Sequence, residues 1–203
     1  MRLFLTQITE FFVVMNTEKK SMKLDNGFYL GAKWKKSPNF NSRPSSTTIS
    51  LIVIHSISLP AGVYSGKYVE NFFCNDFHKI NEILKVEPMN VSSHFFIRRN
   101  GFIVQFVNTN DRAWHAGHSS FKGKDNCNDF SIGIELEGVD NDFFTESQYN
   151  KLIKLVKCLA LNYPIVNIAS HKSIALPKGR KNDPGPYFDY TRLKIFKNLN
   201  LFF

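Results

Sequence analysis

The stretch SIGIELEG, residues 131–138, decides the fold of this chain. Apolar residues alternate in it with glycine and glutamate, and an alternation with a period of two predicts a β-strand whose two faces differ. Glu135 and Glu137 fall on the same face of that strand. On a solvated face they would have no special role, but on a face that lines a cleft one of them could act as a general base.

Three further signals predict that this strand belongs to a sheet. LIVI, residues 51–54, is a buried type of strand that ends at His55. SHFFIRR (93–99) and FIVQFV (102–107) flank Asn100-Gly101, which is the strongest short signal for a β-hairpin. We therefore expect a sheet of about five strands, at least partly antiparallel.

Helices are predicted both before and after the central strand in the sequence. Residues 67–84 carry apolar side chains at helical spacing, and residues 145–148 match a capping box that opens a second amphipathic segment. Asp189 can cap a last short helix. The pattern as a whole predicts an α/β fold in which two or three helices cover a mixed central sheet.

Composition restricts the class of protein. The chain has 203 residues, of which 43% are hydrophobic and 21% charged, which is typical of one soluble globular domain. The formal net charge of +9 favours an anionic partner. Because no block of like charges occurs, an acidic substrate is a better expectation than nucleic acid. No apolar run approaches the ~20 residues that a membrane span needs.

The cysteines and the N-terminus bear on the compartment. Cys74, Cys127 and Cys158 form no CxxC pair, so we expect a reducing compartment rather than a disulfide framework. Residues 1–21 resemble a signal peptide only weakly, because polar residues interrupt their apolar stretch. We expect them to be an uncleaved extension, or sequence upstream of the true start, and residues 22–203 to form the domain.

Metal-binding residue types occur in the loop SHKSIALPKGRKNDPGP, residues 170–186. Together with His55, the loop's His171 and Asp183 supply three nitrogen and oxygen ligands, the pattern of a catalytic zinc site with an open position. Zinc can activate water for attack on an amide, while Glu135 or Glu137 takes the proton and Lys181 stabilises the oxyanion. The alternatives are a solvated surface loop and, for His55, a core histidine.

Six stretches of the chain together resemble the type 2 zinc-dependent N-acetylmuramoyl-L-alanine amidases. Among these enzymes the similarity favours the cytoplasmic amidases that act on anhydro-muropeptides in peptidoglycan recycling. The stretches are NGFYLGA (26–32), LIVIHSISLP (51–60), VSSHFFIRRNG (91–101), DRAWHAG (111–117), CNDFSIGIELEG (127–138) and the loop H…RKNDPGP (171–186).

The resemblance implies a complete site. One zinc ion per chain would be bound by His55, His171 and Asp183, with Glu135 as the catalytic acid and base and Lys181 as the group that stabilises the transition state. It also implies the mixed-sheet fold that these amidases share with peptidoglycan-recognition proteins. The residues at positions around the substrate cleft, each of which could instead be a packing residue, are His94, Trp114 and His115.

Three positions depart from the family pattern. Ser56 stands where the family usually has asparagine, and Asn90 and Asn126 stand where it usually has arginines suited to binding substrate carboxylates. Ser56 and Asn126 are therefore included among the candidate substrate-binding residues. The cations that could replace the missing arginines are Lys122, Lys124 and Arg99, and the loop also has extra residues around Lys178-Gly179.

Three other functions compete with this interpretation. A zinc amidase that acts on polymeric peptidoglycan, as autolysins and endolysins do, would be favoured by an export signal or a wall-binding domain. A non-catalytic peptidoglycan-recognition protein would be favoured by loss of a zinc ligand, yet all three ligands are present. Nucleic-acid binding lacks a basic stripe or a motif.

Overall fold

The computed structural model describes residues 23–80 and 88–203. Its strands are, in chain order, β1 (Leu24–Asp25), β2 (Phe28–Tyr29), β3 (Lys33–Trp34), β4 (Phe40–Ser42), β5 (Leu51–Ile57), β6 (Phe95–Ile97), β7 (Ile103–Gln105), β8 (Asp111–Ala113), β9 (Ser120–Phe121), β10 (Lys124–Asp125), β11 (Ser131–Glu137), β12 (Asn167–Ser170) and β13 (Asn200–Phe202). The predicted extension, residues 1–21, lies outside the described residues, so the domain boundary at residue 22 stays a prediction.

Helical segments connect these strands. The α-helices are α1 (Tyr68–Phe73), α2 (Glu146–Asn162) and α3 (His171–Ile174), and the 3-10 helices are Phe77–Lys79, Cys127–Asp129 and Tyr190–Ile195. Within the described parts of the chain, no helix combines the length and the apolar character that crossing a membrane requires.

Seven strands form one mixed sheet in the order β13-β12-β5-β11-β6-β7-β3. Neighbouring strands from β13 to β6 are parallel, and β6 and β7 pair antiparallel across the predicted Asn100-Gly101 turn. The predicted mixed-sheet α/β fold is confirmed. The number of strands exceeds the expected five because β3 and β13, two and three residues long, extend the sheet at its edges.

Strand β11 lies at the centre of the sheet, between β5 and β6. All seven of its residues are buried, as is usual for the parallel strands of an α/β sheet. The prediction that β5 ends at His55 is wrong by two residues. The ladder to β11 continues to the pair Ile57 and Glu137, so His55 lies inside the strand.

Helix α2 covers one face of the sheet. Its predicted capping box is present: the Gln148 amide donates to Thr145 Oγ1 over 3.1 Å, and the Thr145 amide donates to Gln148 Oε1 over 3.0 Å. The apolar stripe of α2 packs on the isoleucines of β5 and β11. Its buried members are Tyr149, Leu152, Leu155, Val156, Cys158 and Leu159.

Helix α1 and two smaller apolar clusters cover parts of the opposite face. The helix predicted over residues 67–84 is shorter than expected: α1 ends at Phe73, and residues 81–87 lie outside the described residues. Asn75 has a φ of 58°, the left-handed conformation that commonly follows a helix C-terminus. Where α1 and the two clusters leave this face open, the carboxyl ends of β5, β11 and β12 meet.

Candidate metal centre and active-site cleft

His55 and Glu135 lie side by side because they are register partners on the parallel strands β5 and β11. Nδ1 of His55 is 4.0 Å from Oε1 of Glu135. Strand β12 pairs with the other edge of β5 and leads directly into His171, the first residue of α3. Three adjacent parallel strands therefore bring two histidines and one glutamate to the carboxyl end of the sheet.

Asp183 reaches the carboxyl end of the sheet through the loop that follows α3. The Lys172 amide donates to the Asp183 carbonyl over 2.9 Å, which holds the end of the loop against the start of α3. Gly185 packs so closely on the backbone of Asp140 that a Cβ would lie 2.2 Å from the Asp140 carbonyl oxygen. These contacts bring Oδ2 of Asp183 to 3.0 Å from Nδ1 of His171 and 3.3 Å from Nδ1 of His55.

The three side chains fit a metal ion. One ligand atom from each of His55, His171 and Asp183 lies within 4.8 Å of the others. Nε2 of His171 is 3.3 Å from the Ala116 carbonyl oxygen, which can only accept a hydrogen bond, so this nitrogen carries a hydrogen, and in the metal-binding form of the ring Nδ1 is the acceptor. A carboxylate facing that acceptor at 3.0 Å is repulsive unless a cation lies between them. The set could therefore bind a metal.

Burial and neighbouring charges shift the pKa values of His55 and Glu135 in opposite directions. Burial and the neighbouring His171 ring lower the pKa of His55 to about 4, Asp183 opposes this, and Lys181 adds a small further lowering, so the His55 ring is neutral and able to bind metal. Burial and the negative charge of Asp183 raise the pKa of Glu135 well above its ordinary value, while Lys181 opposes this. Within the described residues, Oε2 of Glu135 is buried and has no hydrogen-bond partner.

Glu137 has a different environment from Glu135, although both lie on the same face of β11. Its Oε2 accepts a hydrogen bond of 2.9 Å from the Arg99 amide. This bond ties β11 to the segment that follows β6. Of the two glutamates that the sequence left open, only Glu135 therefore faces the candidate metal centre with an uncommitted carboxylate oxygen.

A cleft of about 710 Å³ opens over the candidate metal centre. His55, Glu135, His171, Asp183 and Lys181 all line it. Its apolar wall consists of Ile57, Leu59, Phe72, Phe73, Met89, Val91 and Trp114, and its cations are Arg112, Arg180 and Lys181. The cleft thus offers a charged floor and a largely apolar wall to a ligand.

The predicted substrate-binding residues divide into two groups. Ser56, Trp114 and His115 line the cleft, although His115 is only 8% exposed. His94 is fully buried and does not line it, and its Nδ1 accepts a 3.0 Å hydrogen bond from the Gly133 amide. The exposed residue Asn126 does not line it either.

The cations that the sequence offered as replacements for the family arginines have other partners. Lys122 Nζ donates to Asn167 Oδ1 over 3.1 Å, Lys124 lies over the Phe130 ring, and Arg99 lies 3.8 Å from an Asp142 carboxylate oxygen. None of the three lines the cleft. The guanidinium groups that do line it are those of Arg112 and Arg180.

Sequence reasoning missed two residues that hold the cleft together. The Arg43 guanidinium donates to four backbone carbonyls over 2.8–3.2 Å. Oδ1 of Asn128 accepts from the amides of His115 and Ala116 over 3.0 and 2.8 Å. A single arginine in a polar loop and an asparagine after a cysteine give no local signal of such contacts.

The chain is similar to known proteins over most of its length. The family model for N-acetylmuramoyl-L-alanine amidase matches residues 45–186. The chain is similar to the 1,6-anhydro-N-acetylmuramyl-L-alanine amidase AmpD of Haemophilus influenzae, with 45% identity over 179 residues that cover 86% of this chain and 96% of the relative.

Solved structures agree as well. A crystal structure of a selenomethionine derivative of AmpD superposes with a TM-score of 0.75 at 41% identity, covering 85% of this chain and 97% of that one. The peptidoglycan-recognition protein PGRP-SA of Apis mellifera matches with a TM-score of 0.58 at 16% identity, covering 83% of this chain and 97% of that one, which shows the shared fold alone.

Proposed function

Because the chain belongs to the N-acetylmuramoyl-L-alanine amidase family, we propose that it cleaves the amide bond between the lactyl group of anhydro-N-acetylmuramic acid and L-alanine in muropeptides. The reaction would be a step of peptidoglycan recycling in the cytoplasm. The observation that carries the proposal is the convergence of His55, His171 and Asp183 beside the buried carboxylate of Glu135.

The metal of this site is proposed to be one zinc ion per chain. Two imidazoles and one carboxylate are the donor set of a catalytic zinc site, and three protein ligands leave a position open. A zinc ion held there would activate water and polarise the scissile carbonyl. His55, His171 and Asp183 would hold the ion, and the ladder between β5 and β11 would keep Glu135 beside it.

Glu135 is proposed as the general base and then the general acid. Its raised pKa and its unpartnered Oε2 suit a carboxylate that takes a proton from water and returns it to the amine of L-alanine. Lys181 is proposed to stabilise the negative charge on the amide oxygen. It lines the cleft, and its charge lowers the pKa values of both His55 and Glu135, as expected of a nearby cation.

The substrate is proposed to be a small soluble anhydro-muropeptide. Arg112, which pairs with Asp129, and Arg180, which donates to the Leu176, Ala116 and His118 carbonyls, both line the cleft and are proposed to offer their remaining N–H groups to the carboxylates of a stem peptide. The net charge of +9 favours encounter with an acidic ligand. The relatives similar over most of this chain carry the name of an anhydro-muramyl amidase. The unpaired Cys74, Cys127 and Cys158 fit a reducing compartment.

Hydrolysis rates for three substrates test the proposal. They are an anhydro-muropeptide, the same peptide on a reducing-end muramic acid, and intact sacculi. We expect release of the peptide to be fastest from the anhydro-muropeptide. Equal or faster release from sacculi would contradict the proposed substrate and favour an autolysin, whereas no release from any of the three would contradict the amidase activity itself.

A further inference from the structure

We propose that His115 is a positioning residue that fixes the tautomer of His55, so that the Nδ1 lone pair of His55 points to the metal position. The proposal rests on the metal site of the proposed function. Nε2 of His55, on the far side of its ring, is 3.0 Å from Nδ1 of His115. Which of these two nitrogens carries the hydrogen decides whether Nδ1 of His55 is free to bind a metal.

A chain of contacts runs from the Cys127 carbonyl through Ser131 and His115 to His55. The hydrogen positions along it follow from this carbonyl. Ser131 Oγ lies 2.5 Å from the Cys127 carbonyl oxygen, which can only accept, so the single hydroxyl hydrogen of Ser131 is used there. Ser131 Oγ is also 3.2 Å from Nε2 of His115 and must accept in that contact. Nε2 of His115 is therefore the donor.

The remaining step fixes His55. Since the hydrogen of the neutral His115 ring is on Nε2, its Nδ1 is an acceptor, and the contact at 3.0 Å requires Nε2 of His55 to donate. Nδ1 of His55 then has a lone pair, and it is the nitrogen that lies 3.3 Å from Asp183. His171 reaches the same state through the Ala116 carbonyl. Both histidines thus offer Nδ1 to one point.

The surroundings of His115 leave its ring little freedom. The ring packs on the backbone of β11 at Gly133, where a Cβ would lie 2.6 Å from the His115 Cγ, so any larger residue at position 133 would displace it. The Asn128 side chain accepts from the His115 amide, which fixes the backbone as well. The His55 and His115 rings meet edge to face, with centroids 5.0 Å apart.

The function of this arrangement is preorganisation. A histidine whose far nitrogen has a hydrogen-bond acceptor is held in one tautomer and one ring orientation, and the loss of such a partner typically costs 10–100-fold in metal affinity. In this chain the acceptor is an imidazole instead of the more usual carboxylate or carbonyl. The chain of contacts from Cys127 to His55 is buried, so water has little access to replace it.

Zinc affinity of variants tests the proposal, measured by competition with a chromogenic chelator. His115→Phe keeps the ring volume and removes the acceptor, and we expect it to weaken zinc binding roughly 10–100-fold. His115→Asn, whose Oδ1 can stand in for Nδ1, should recover most of the affinity. The matched control is His118→Phe, because His118 lies in the same loop and is exposed. Equal zinc affinity of wild type and His115→Phe would overturn the proposal.

A measurement on the unaltered chain covers the case in which His115→Phe does not fold. Nitrogen NMR of the imidazole rings reports which nitrogen carries the hydrogen. We expect Nε2–H for both His115 and His55. A hydrogen on Nδ1 of His115 would overturn the proposal even if the protein binds zinc and cleaves muropeptides. Failure of the wild type to bind zinc would instead contradict the proposed function.

Discussion

His55 and Glu135 are register partners on adjacent parallel strands, and 4.0 Å separates His55 Nδ1 from Glu135 Oε1. The backbone ladder, and not a flexible loop, therefore sets the distance between a candidate metal ligand and the candidate base. Glu137 lies two residues further along the same face, and its carboxylate accepts from the Arg99 amide.

Glu135→Gln should reduce kcat by roughly 10²–10³-fold with zinc content unchanged, because it removes the group that takes the proton while keeping its shape. Glu137→Gln is the matched control. It should lower the melting temperature, since it weakens the bond to Arg99, and leave kcat within a few-fold. Steady-state kinetics and zinc analysis of both variants test this prediction. A large loss of kcat in Glu137→Gln with only a small loss in Glu135→Gln would reverse the assignment.

Lys181→Ala should also reduce kcat by roughly 10²–10³-fold, the scale of a lost oxyanion partner. The control is Lys178→Ala in the same loop. Lys178 does not line the cleft, and its Nζ donates to the Ser173 carbonyl. If both variants lose the same activity, or if Lys181→Ala raises only KM, the proposed role of Lys181 in the transition state is wrong.

The metal-free protein should become less stable as the pH falls. Burial lowers the pKa of His55, His94 and His115 below the ordinary 6.5, and to about 4 for His55. Below about pH 6.5 these three histidines therefore bind more protons in the unfolded chain than in the folded one. The raised pKa of Glu135 acts in the opposite direction, but it is one group against three, so the free energy of unfolding should decrease with falling pH. Between about pH 6.5 and 4, His55 alone would contribute a loss of roughly 3 kcal/mol.

Urea unfolding at a series of pH values measures this dependence. A free energy of unfolding that is constant from about pH 7 to 5 would show that the buried histidines are not neutral in the folded state.

Asn90→Arg should lower KM with little change in kcat. Asn90 is exposed and lines the cleft, at one of the two positions where the family usually has an arginine. A new charge-assisted hydrogen bond to a peptide carboxylate is worth about 1.5 kcal/mol, or roughly tenfold in KM. Asn126→Arg tests the other position. The gain should vanish on a substrate whose carboxylates are amidated; an equal gain on that substrate would exclude carboxylate binding as the cause.

Several elements could be predicted because their signals are local. The Asn100-Gly101 hairpin and the capping box at Thr145 depend on a few neighbouring residues and are present in the structure. The convergence of His55, His171 and Asp183 could also be predicted, because the residue types and the family pattern agree.

Other features depend on contacts distant in sequence and could not be predicted. Strand β13 is three residues long and forms only by pairing with β12. The link from Ser131 through His115 to His55 joins three separate segments of the chain. The residue types alone allowed His115 to be either a cleft residue or a packing residue, and only its neighbours in space show its contact with the candidate metal ligand.

The most direct test of the central claim is mass spectrometry of the products formed by the zinc-loaded protein from an anhydro-muropeptide in heavy-oxygen water. The account predicts two products: anhydro-N-acetylmuramic acid with one heavy oxygen in its lactyl carboxylate, and an unlabelled peptide that begins with L-alanine. Both should disappear after removal of the metal and return with added zinc. Cleavage at any other bond, or full activity in protein shown to contain no metal, would contradict it.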